Sequence, residues 1–389
     1  MIATTLHTQI KDAILKGADW LARHQHLQQK TQSIQEFSHY TANYGAFYNP
    51  CEKGDWLATQ WMNSFTLMAL EASNSFCGNK YQINIEAGIS YLKTLQNLAP
   101  GKPETYGLVA EFTPNCSWCF VRDSVSAAWC YLAFYKKTND PEYLERALAF
   151  FKWFMKYGLD EEGFPYSGAL IHPKGNTKGQ LDLLNHLQGS YHGGTLNLFY
   201  QLYQCIQDKN ILGDEYQNFI NLFIKKNITS DGNFIIFNKD LKGPEQADAH
   251  ANLHKINDDF TTIGFLTAYQ LDPQQKYLDI IYKYLDWVVS VMENGLVTGH
   301  QSGVPVILNL CCELKQINLL PERFQSLIET SCLQLINIQN TSNDMEKSGG
   351  FMESSEASFP DRRTSAYAVI ALNKVIENDK RYLGLSEMN

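Results

Sequence analysis

No run of lysine or arginine long enough to neutralise a row of phosphates occurs in this chain, whose formal net charge is −9. Nucleic acid is therefore not an expected partner. Long apolar runs are missing too: the longest windows, such as Ser124 to Tyr135, fall short of the about 20 residues a transmembrane helix needs. The N-terminus lacks a basic stretch followed by an apolar one, so no cleaved export signal is expected. Nine cysteines, an odd number scattered over 389 residues, make no disulfide framework. The lone Cys-x-x-Cys, Cys116-Ser117-Trp118-Cys119, has no second pair with which to close a zinc site. Cys130, Cys205, Cys311, Cys312 and Cys332 sit in apolar runs, where cysteine acts as a small hydrophobe. A cytoplasmic protein without metal or cofactor is the expectation.

What the chain does have is material for a core, with 44% hydrophobic and 13% aromatic residues, and an internal repeat that uses it. Residues Asp123 to Lys137 are apolar nearly all round; Asn139-Asp140-Pro141 breaks the chain; Glu142 to Tyr157 then carries a single apolar stripe. The same order recurs as Thr59 to Ala72 with Ile83 to Leu98, Tyr191 to Ile206 with Asp214 to Lys226, Phe260 to Leu271 with Gln275 to Met292, and Gly303 to Lys315 with Glu322 to Ile338. Thr364 to Ile376 is a final all-round apolar run, and His7 to His24 an initial striped one. A helix apolar on every side is buried on every side, whereas a striped helix lies at the surface. The pattern predicts an all-α fold, an (α/α)6 toroid of six inner and six outer helices, with residues 1–389 forming one domain. The first outer and last inner helix pair to close the ring.

The connections are lopsided. Inner-to-outer links are short turns, while outer-to-inner links are long and each holds a glycine beside an apolar residue, as in Tyr44-Gly45-Ala46-Phe47, Tyr106-Gly107-Leu108, Glu162-Gly163-Phe164, Gly232-Asn233-Phe234, Gly295-Leu296 and Gly349-Gly350-Phe351. All the long loops leave on one side, where the inner helices begin, and function is expected there.

Several groups gather on that rim. Asp258-Asp259 opens one inner helix and Arg122-Asp123 another; each aspartate suits a helix cap or, in an aromatic pocket, a general acid or base. Arg122 would serve as a clamp for a sugar carboxylate, the alternative being a surface arginine beside a capping aspartate. His192, between Tyr191 and Gly193-Gly194, and His186 lie near the start of the third inner helix, with side chains able to exchange protons near neutrality. His250, His254 and Asp258 share a helical spacing, yet the segment lacks a firm helical pattern, so substrate contact from a loop is preferred to a metal site. Trp118, Tyr44, Trp56 and Tyr166 supply aromatic faces, and Arg362 and Arg363 open the last inner helix. Loop acids such as Glu111 and Glu353 make the surroundings polar, which favours sugar over hydrocarbon.

The hairpin turn Asn139-Asp140-Pro141-Glu142-Tyr143-Leu144 and its counterpart Gln275-Lys276-Tyr277-Leu278 resemble those of the six-hairpin carbohydrate enzymes, N-acylglucosamine 2-epimerases and unsaturated glucuronyl hydrolases. Residues Gln339 to Leu372, with Gly349-Gly350-Phe351 and Pro360 to Tyr367, are similar to a repeat of the terpenoid cyclase and prenyltransferase-β toroids. The Asp-x-Asp-Asp motif of one cyclase class aligns with Ile256-Asn257-Asp258-Asp259, where Ile256 replaces the first aspartate. No cysteine lies between Gly349 and Ala366 to hold the zinc of a prenyltransferase. The first resemblance implies a carbohydrate-active enzyme that acts on a sugar or uronic-acid-containing glycoside by general acid/base catalysis, with Asp258, Asp259, Asp123 and His192 as catalytic candidates. Its partner would be a small-molecule or oligosaccharide substrate. The second implies a cyclase with Asp258 as its acid, and a third possibility is a non-catalytic toroid that binds protein or peptide on the loop face.

Overall fold

The computed structural model describes residues 4–27, 43–52, 56–114, 116–163, 165–171, 181–183, 187–188, 193–234, 237–238 and 260–377. Helix α1 spans Thr4–Arg23 and is followed by five hairpins: α2 (Gln60–Cys77) with α3 (Gln82–Leu95), α4 (Val121–Thr138) with α5 (Pro141–Tyr157), α6 (Thr195–Ile206) with α7 (Asp214–Asn227), α8 (Thr261–Leu271) with α9 (Gln275–Val291), and α10 (Gly303–Gln316) with α11 (Ser326–Ile338). Helix α12 (Arg362–Glu377) comes last. The all-round apolar helices do pack on one another, α12 on α2, α2 on α4, α4 on α6, α6 on α8 and α10 on α12, while each striped helix covers an inner one. Helix α1 lies along α12, so the first outer and last inner helices close the ring as the pattern required.

Local chemistry sets the hairpins. Asn139 ends α4 in the left-handed conformation, its N–H donating to Tyr135 O; Asp140 accepts from the Glu142 N–H; Pro141 occupies the first turn of α5. Three consecutive residues thus stop one helix, cap the next and fix its first φ. Two expected boundaries shift. Helix α6 opens at Thr195, after a turn at Gly193 and Gly194, where a Cβ would collide with Thr261 and with the Trp129 ring respectively. The outer segment starting at Glu322 makes a 3-10 turn, Glu322–Phe324, before α11 begins.

The glycines of the long connections form a ring of their own. Gly45, Gly107, Gly163, Gly232, Gly295 and Gly349 all have positive φ, and each sits in a short antiparallel return, such as Gln96 with Val109 or Gln339 with Phe351. A Cβ on Gly107 would stand 2.2 Å from Ala149 O in α5, and one on Gly349 2.4 Å from Lys16 O in α1, so these two turns press on the backbone of the next outer helix, whereas Gly163 lies against the Asn218 side chain. Glutamines complete the joint: Gln96 Nε2 donates to Gly107 O and Arg146 O, and Gln339 Nε2 to Gly349 O and Ala13 O. Gly295 differs, with nothing within 4 Å of its added Cβ. We therefore expect Gly107→Ala to cost about 2–4 kcal/mol, from backbone strain plus a forced shift of α5. Gly295→Ala should cost about 1–2 kcal/mol, from strain alone. Urea unfolding of the two variants side by side checks the difference; equal losses would count against the pressed-turn account.

Short strands lie among the connections. β1 (Tyr48–Asn49) pairs with β2 (Trp56–Leu57); β3 (Trp118–Phe120), β4 (Gly168–Ile171) and β5 (Leu181–Leu183) form an antiparallel three-stranded sheet; β6 (Leu187–Gln188) pairs with β7 (Phe237–Asn238). The two ends of the barrel are chemically distinct. Towards the C-terminal ends of the inner helices lie lysines that suit the dipole there: the buried Lys374 has its Nζ 2.5 Å from Glu313 Oε1, Lys137 pairs with the buried Glu71, and Lys136 donates to Gln201. Between the ends is a packed group of rings, in which Phe65 stacks on Phe260 at 5.6 Å and meets Tyr367 at 4.6 Å, with Trp61 and Trp129 at its edge. Above that aromatic floor, at the N-terminal ends of the inner helices, is the mouth. Among the described residues no helix is long and apolar enough to cross a membrane.

Candidate active site

The mouth is built on the first turn of α4. β3 runs directly into it, and the Val121 N–H donates to Ser167 O, so the sheet fixes where the helix starts. The residue at the cap position is Phe120, with no side-chain capping bond, which places Asp123 inside the first turn. Asp123 is therefore not the capping aspartate that the simpler reading allowed. Its carboxylate is 3% exposed, and Arg122 Nε stands 2.8 Å from its Oδ1. The Arg122 guanidinium lies over the Trp61 ring at 3.9 Å, so it is not a plain surface arginine either.

A second carboxyl group meets Asp123 from the connection before α4. Glu111 is pinned at both ends of its peptide unit: its N–H donates to Trp118 O at 2.9 Å, and its carbonyl accepts from the Gln60 N–H at 2.7 Å. Gln60 in turn donates to Val109 O and reaches Ser124 Oγ. Burial first, and then the charge of Asp123 and a hydrogen bond to it, push the Glu111 carboxyl far above the ordinary carboxylate range, against the opposing pull of Arg122. Glu111 thus keeps its proton and offers it to Asp123. Two carboxyls, one proton and one guanidinium make a unit suited to moving a proton in a water-poor setting.

A raised acid has a consequence for stability. The folded chain retains a proton at Glu111 that the unfolded chain sheds above its ordinary pKa of 4.5. The contribution is fully present below that pH and declines as pH rises towards the folded value, by at most about 1.4 kcal/mol per pH unit. Glu111→Gln, which copies the neutral form, should gain on the wild type between pH 5 and pH 8. Paired denaturation curves at the two pH values measure this, and a constant gap would show that Glu111 is ionised when folded.

Trp61 also connects α4 to α12, because the Arg363 guanidinium lies 5.7 Å from the same ring centre. Arg363 forms an ion pair with Glu353 and has Nε 3.7 Å from Asp361 Oδ1, while His300 Nδ1 is 2.9 Å from Glu353 Oε1. Its neighbour Arg362 behaves otherwise. Arg362 is wholly buried and donates to the carbonyls of Leu21, His24 and Tyr48 and to Thr66 Oγ1, so the expectation that it binds substrate is corrected: it ties the ring together. Adjacent residues on a helix point about 100° apart, and here one faces the core and the other the mouth.

Trp118 is 46% exposed and stacks on Phe120, two residues along the same strand, which leads to Arg122 and Asp123. Trp56, on β2, is also exposed. Tyr166 is half-buried and precedes Ser167, the acceptor for the start of α4. Tyr44 lies in the turn whose Gly45 presses on α3, and among the described residues no hydrogen bond or ring contact joins it to the Asp123 group. His186, His192, His250, His254, Asp258 and Asp259 fall outside the described residues. Glu111, Gln60, Trp61, His300 and Glu353 are not singled out as catalytic or binding residues by sequence. An acid directly following the apolar Leu108-Val109-Ala110 is a usable sign for Glu111; Trp61, in an apolar helix, gives none.

No family model matches the chain, and no curated protein matches its sequence. Solved structures do match over nearly its whole length. An α-mannanase of glycoside hydrolase family 76 from Bacteroides thetaiotaomicron aligns with TM-score 0.68 at 13% identity, covering 96% of this chain and 97% of that one. A sugar epimerase from a ruminal bacterium aligns with TM-score 0.66 at 13% identity, covering 97% and 100%. An α-1,6-mannanase from Salegentibacter, an inactive variant with two consecutive aspartates changed to asparagine and bound to α-1,6-mannotriose, aligns with TM-score 0.64 at 14% identity, covering 94% and 98%. Identities this low establish architecture, and they bear out the one expected: this chain has the (α/α)6 toroid fold of six-hairpin carbohydrate enzymes.

Proposed function

We propose that the protein is a carbohydrate-active enzyme that acts on a sugar or uronic-acid-containing glycoside by general acid/base catalysis in the mouth of the toroid. The observation that carries this is the Glu111–Asp123–Arg122 group at the head of α4, next to the exposed Trp118. Trp118 would stack on a sugar face, Arg122 would bind a hydroxyl or carboxylate, and Asp123 would exchange the proton. The structural neighbours give support by analogy of fold: mannanases and a sugar epimerase use the same toroid, and one mannanase is inactive without a pair of aspartates. Here the residue before Asp123 is Arg122, and the chain's own aspartate pair is Asp258-Asp259. We include both, with His192, as catalytic candidates, and His186, His250, His254, Trp56, Tyr166 and Arg363 as substrate contacts. The buried, unreactive thiols of Cys130, Cys311 and Cys312, raised by burial, suit the reducing cytoplasm proposed for it.

Incubating the protein with a panel of mannan, glucan and uronic-acid oligosaccharides, and free N-acyl and neutral monosaccharides, tests the proposal. Chain shortening, elimination or epimerisation of at least one is expected, and no conversion of any would overturn it. Trp118→Ala should raise KM by about 5- to 30-fold with a smaller change in kcat, the signature of lost binding. The aromatic floor of Phe65, Phe260 and Tyr367 suits a carbocation as well. Prenyl diphosphates and oxidosqualene therefore belong in the panel, with no cyclised product expected.

A further inference from the structure

Strand β3 carries two aromatic rings and delivers the chain directly to the first turn of α4. Trp118 and Phe120 stand on the same face of the strand, since side chains two residues apart along a strand point the same way, and Cys119 between them is wholly buried on the other face. Their ring centres are 6.0 Å apart, with 25° between the ring planes. Phe120, next to the helix, is half-buried, and Trp118, further out, is 46% exposed. The pair therefore opens to solvent with distance from α4.

The platform beneath the rings is firm. Trp118 lies opposite Leu170 and Phe120 opposite Gly168 in β4, and Trp118 O accepts from the Glu111 N–H at 2.9 Å. Gly168 has no side chain, so its position in β4 places no neighbour over the Phe120 ring. Rings carried on a paired strand are already ordered, and little freedom remains to be lost when a ligand stacks on them.

The strand also sets where the rings stand relative to the Asp123 carboxylate. Phe120 is the cap residue of α4, and Asp123 is the third residue of its first turn. At a helix start these two positions share one side, which is why a side chain at the second can reach back to the first. Residues three apart on a helix have Cβ atoms about 5–6 Å apart, and two residues of strand add about 7 Å. Trp118 is thus on the order of 10 Å from Asp123, with Phe120 between them. A single pyranose held at Asp123 is too short to touch the Trp118 ring as well.

We propose that Phe120 and Trp118 form an outer sugar subsite, and that the substrate is accordingly an oligosaccharide and not a free monosaccharide. The proposal rests on the carbohydrate reading above and narrows its substrate class. The reacting sugar lies at Asp123 and Arg122, the next ring at Phe120, and the third on Trp118, where the chain leaves towards solvent. Sugar rings present C–H groups on their faces and hydroxyls at their rims. An aromatic face open at its edges covers the former and leaves the latter to water, which a half-exposed pair of rings does and a closed apolar pocket does not.

Titration calorimetry tests this. The probes are mannose, mannobiose, mannotriose and mannotetraose, with the glucose and galacturonic acid series of the same lengths, all measured in an Asp123→Asn background that slows their conversion. In at least one series, affinity should rise about 10-fold or more from one unit to three and then level off. Adding Trp118→Ala should weaken the three-unit probe about 5- to 30-fold and the one-unit probe less than about 2-fold. Phe120→Leu, which keeps apolar bulk at the start of α4 but no ring face, should weaken the two-unit probe as well, and Trp118→Phe should restore part of the three-unit affinity. A rise with length that survives Trp118→Ala, affinity independent of length, or equal losses for one unit and three overturns the subsite. A wild type that converts a free monosaccharide as fast as its trisaccharide overturns the substrate class. No binding in any series, together with no conversion of any probe by the wild type, is instead a failure of the carbohydrate reading, visible before any Trp118 variant is compared, and the subsite falls with it.

Discussion

Asp123→Asn should lower kcat by about 10³-fold on any glycoside the wild type converts, while leaving the fold intact. Asparagine has nearly the same shape, so the packing of the first turn of α4 is kept. What changes is the charge. The Asp123 carboxylate stands 2.8 Å from Arg122 Nε and receives the hydrogen bond of a Glu111 that keeps its proton. An amide at that position accepts no proton in the reaction. It also removes the carboxylate charge that faces the Arg122 guanidinium, which is stacked on Trp61. A loss confined to kcat marks a residue acting on the transition state, and a loss confined to KM would mark one that only binds. The companion Glu111→Gln should be much milder, within about 10-fold, since a carboxamide copies the neutral acid as donor to Asp123. Equal losses in the two variants would mean that Glu111 and not Asp123 is the group that changes charge during turnover. An unaltered kcat in Asp123→Asn would remove Asp123 from the reaction.

The architecture is legible in the sequence for a physical reason. Burial on all sides and burial on one side leave different patterns, so Asp123 to Lys137 and Glu142 to Tyr157 can be told apart without any partner in view. The six glycines are legible as a repeat, but their purpose is not: that Gly107 and Gly349 must lie against the backbone of the next outer helix is a tertiary fact. At the site, an acid opening an inner helix points to Asp123, though a capping role cannot be separated from a chemical one until Phe120 proves to hold the cap position. Glu111 and His300 are silent in the sequence because their chemistry comes from neighbours distant along the chain: Asp123 for one, Glu353 for the other. Trp61 is hidden by its setting, since a tryptophan in an apolar helix reads as filler. The pair Arg362-Arg363 shows the limit most clearly. Both residues open the same helix and both suit substrate contact by type, and composition does not reveal helix phase.

That phase difference carries a prediction of similar size to the first. Arg362→Met should destabilise the fold by about 3–5 kcal/mol, whereas Arg363→Met should cost less, about 1–2 kcal/mol, and act on KM as well. Arg362 is buried between the rings of Trp20 and Phe47, at 5.5 Å and 5.2 Å from their centres. Its donors join four parts of the ring closure: Leu21 O in α1, His24 O just beyond it, Tyr48 O in β1, and Thr66 Oγ1 in α2. Methionine fills much of the volume but donates nothing, so buried carbonyls lose their donor at the place where the first outer helix meets the last inner one. Lysine would not repair this, because one ammonium cannot span acceptors set around a planar fork. Arg362→Lys should therefore remain well below wild type in urea unfolding and improve only slightly on Arg362→Met. Arg363 faces different surroundings. Its guanidinium bridges Glu353, Asp361 and the Trp61 ring, and at 14% side-chain exposure it stands nearer to solvent than the wholly buried Arg362. Stability loss in Arg363→Met matching that in Arg362→Met would mean that the mouth and the closure are one structural unit. The expected split, with one arginine felt in unfolding and its neighbour felt in substrate affinity, would show that the closure of the toroid and its chemistry are held by separate contacts one residue apart.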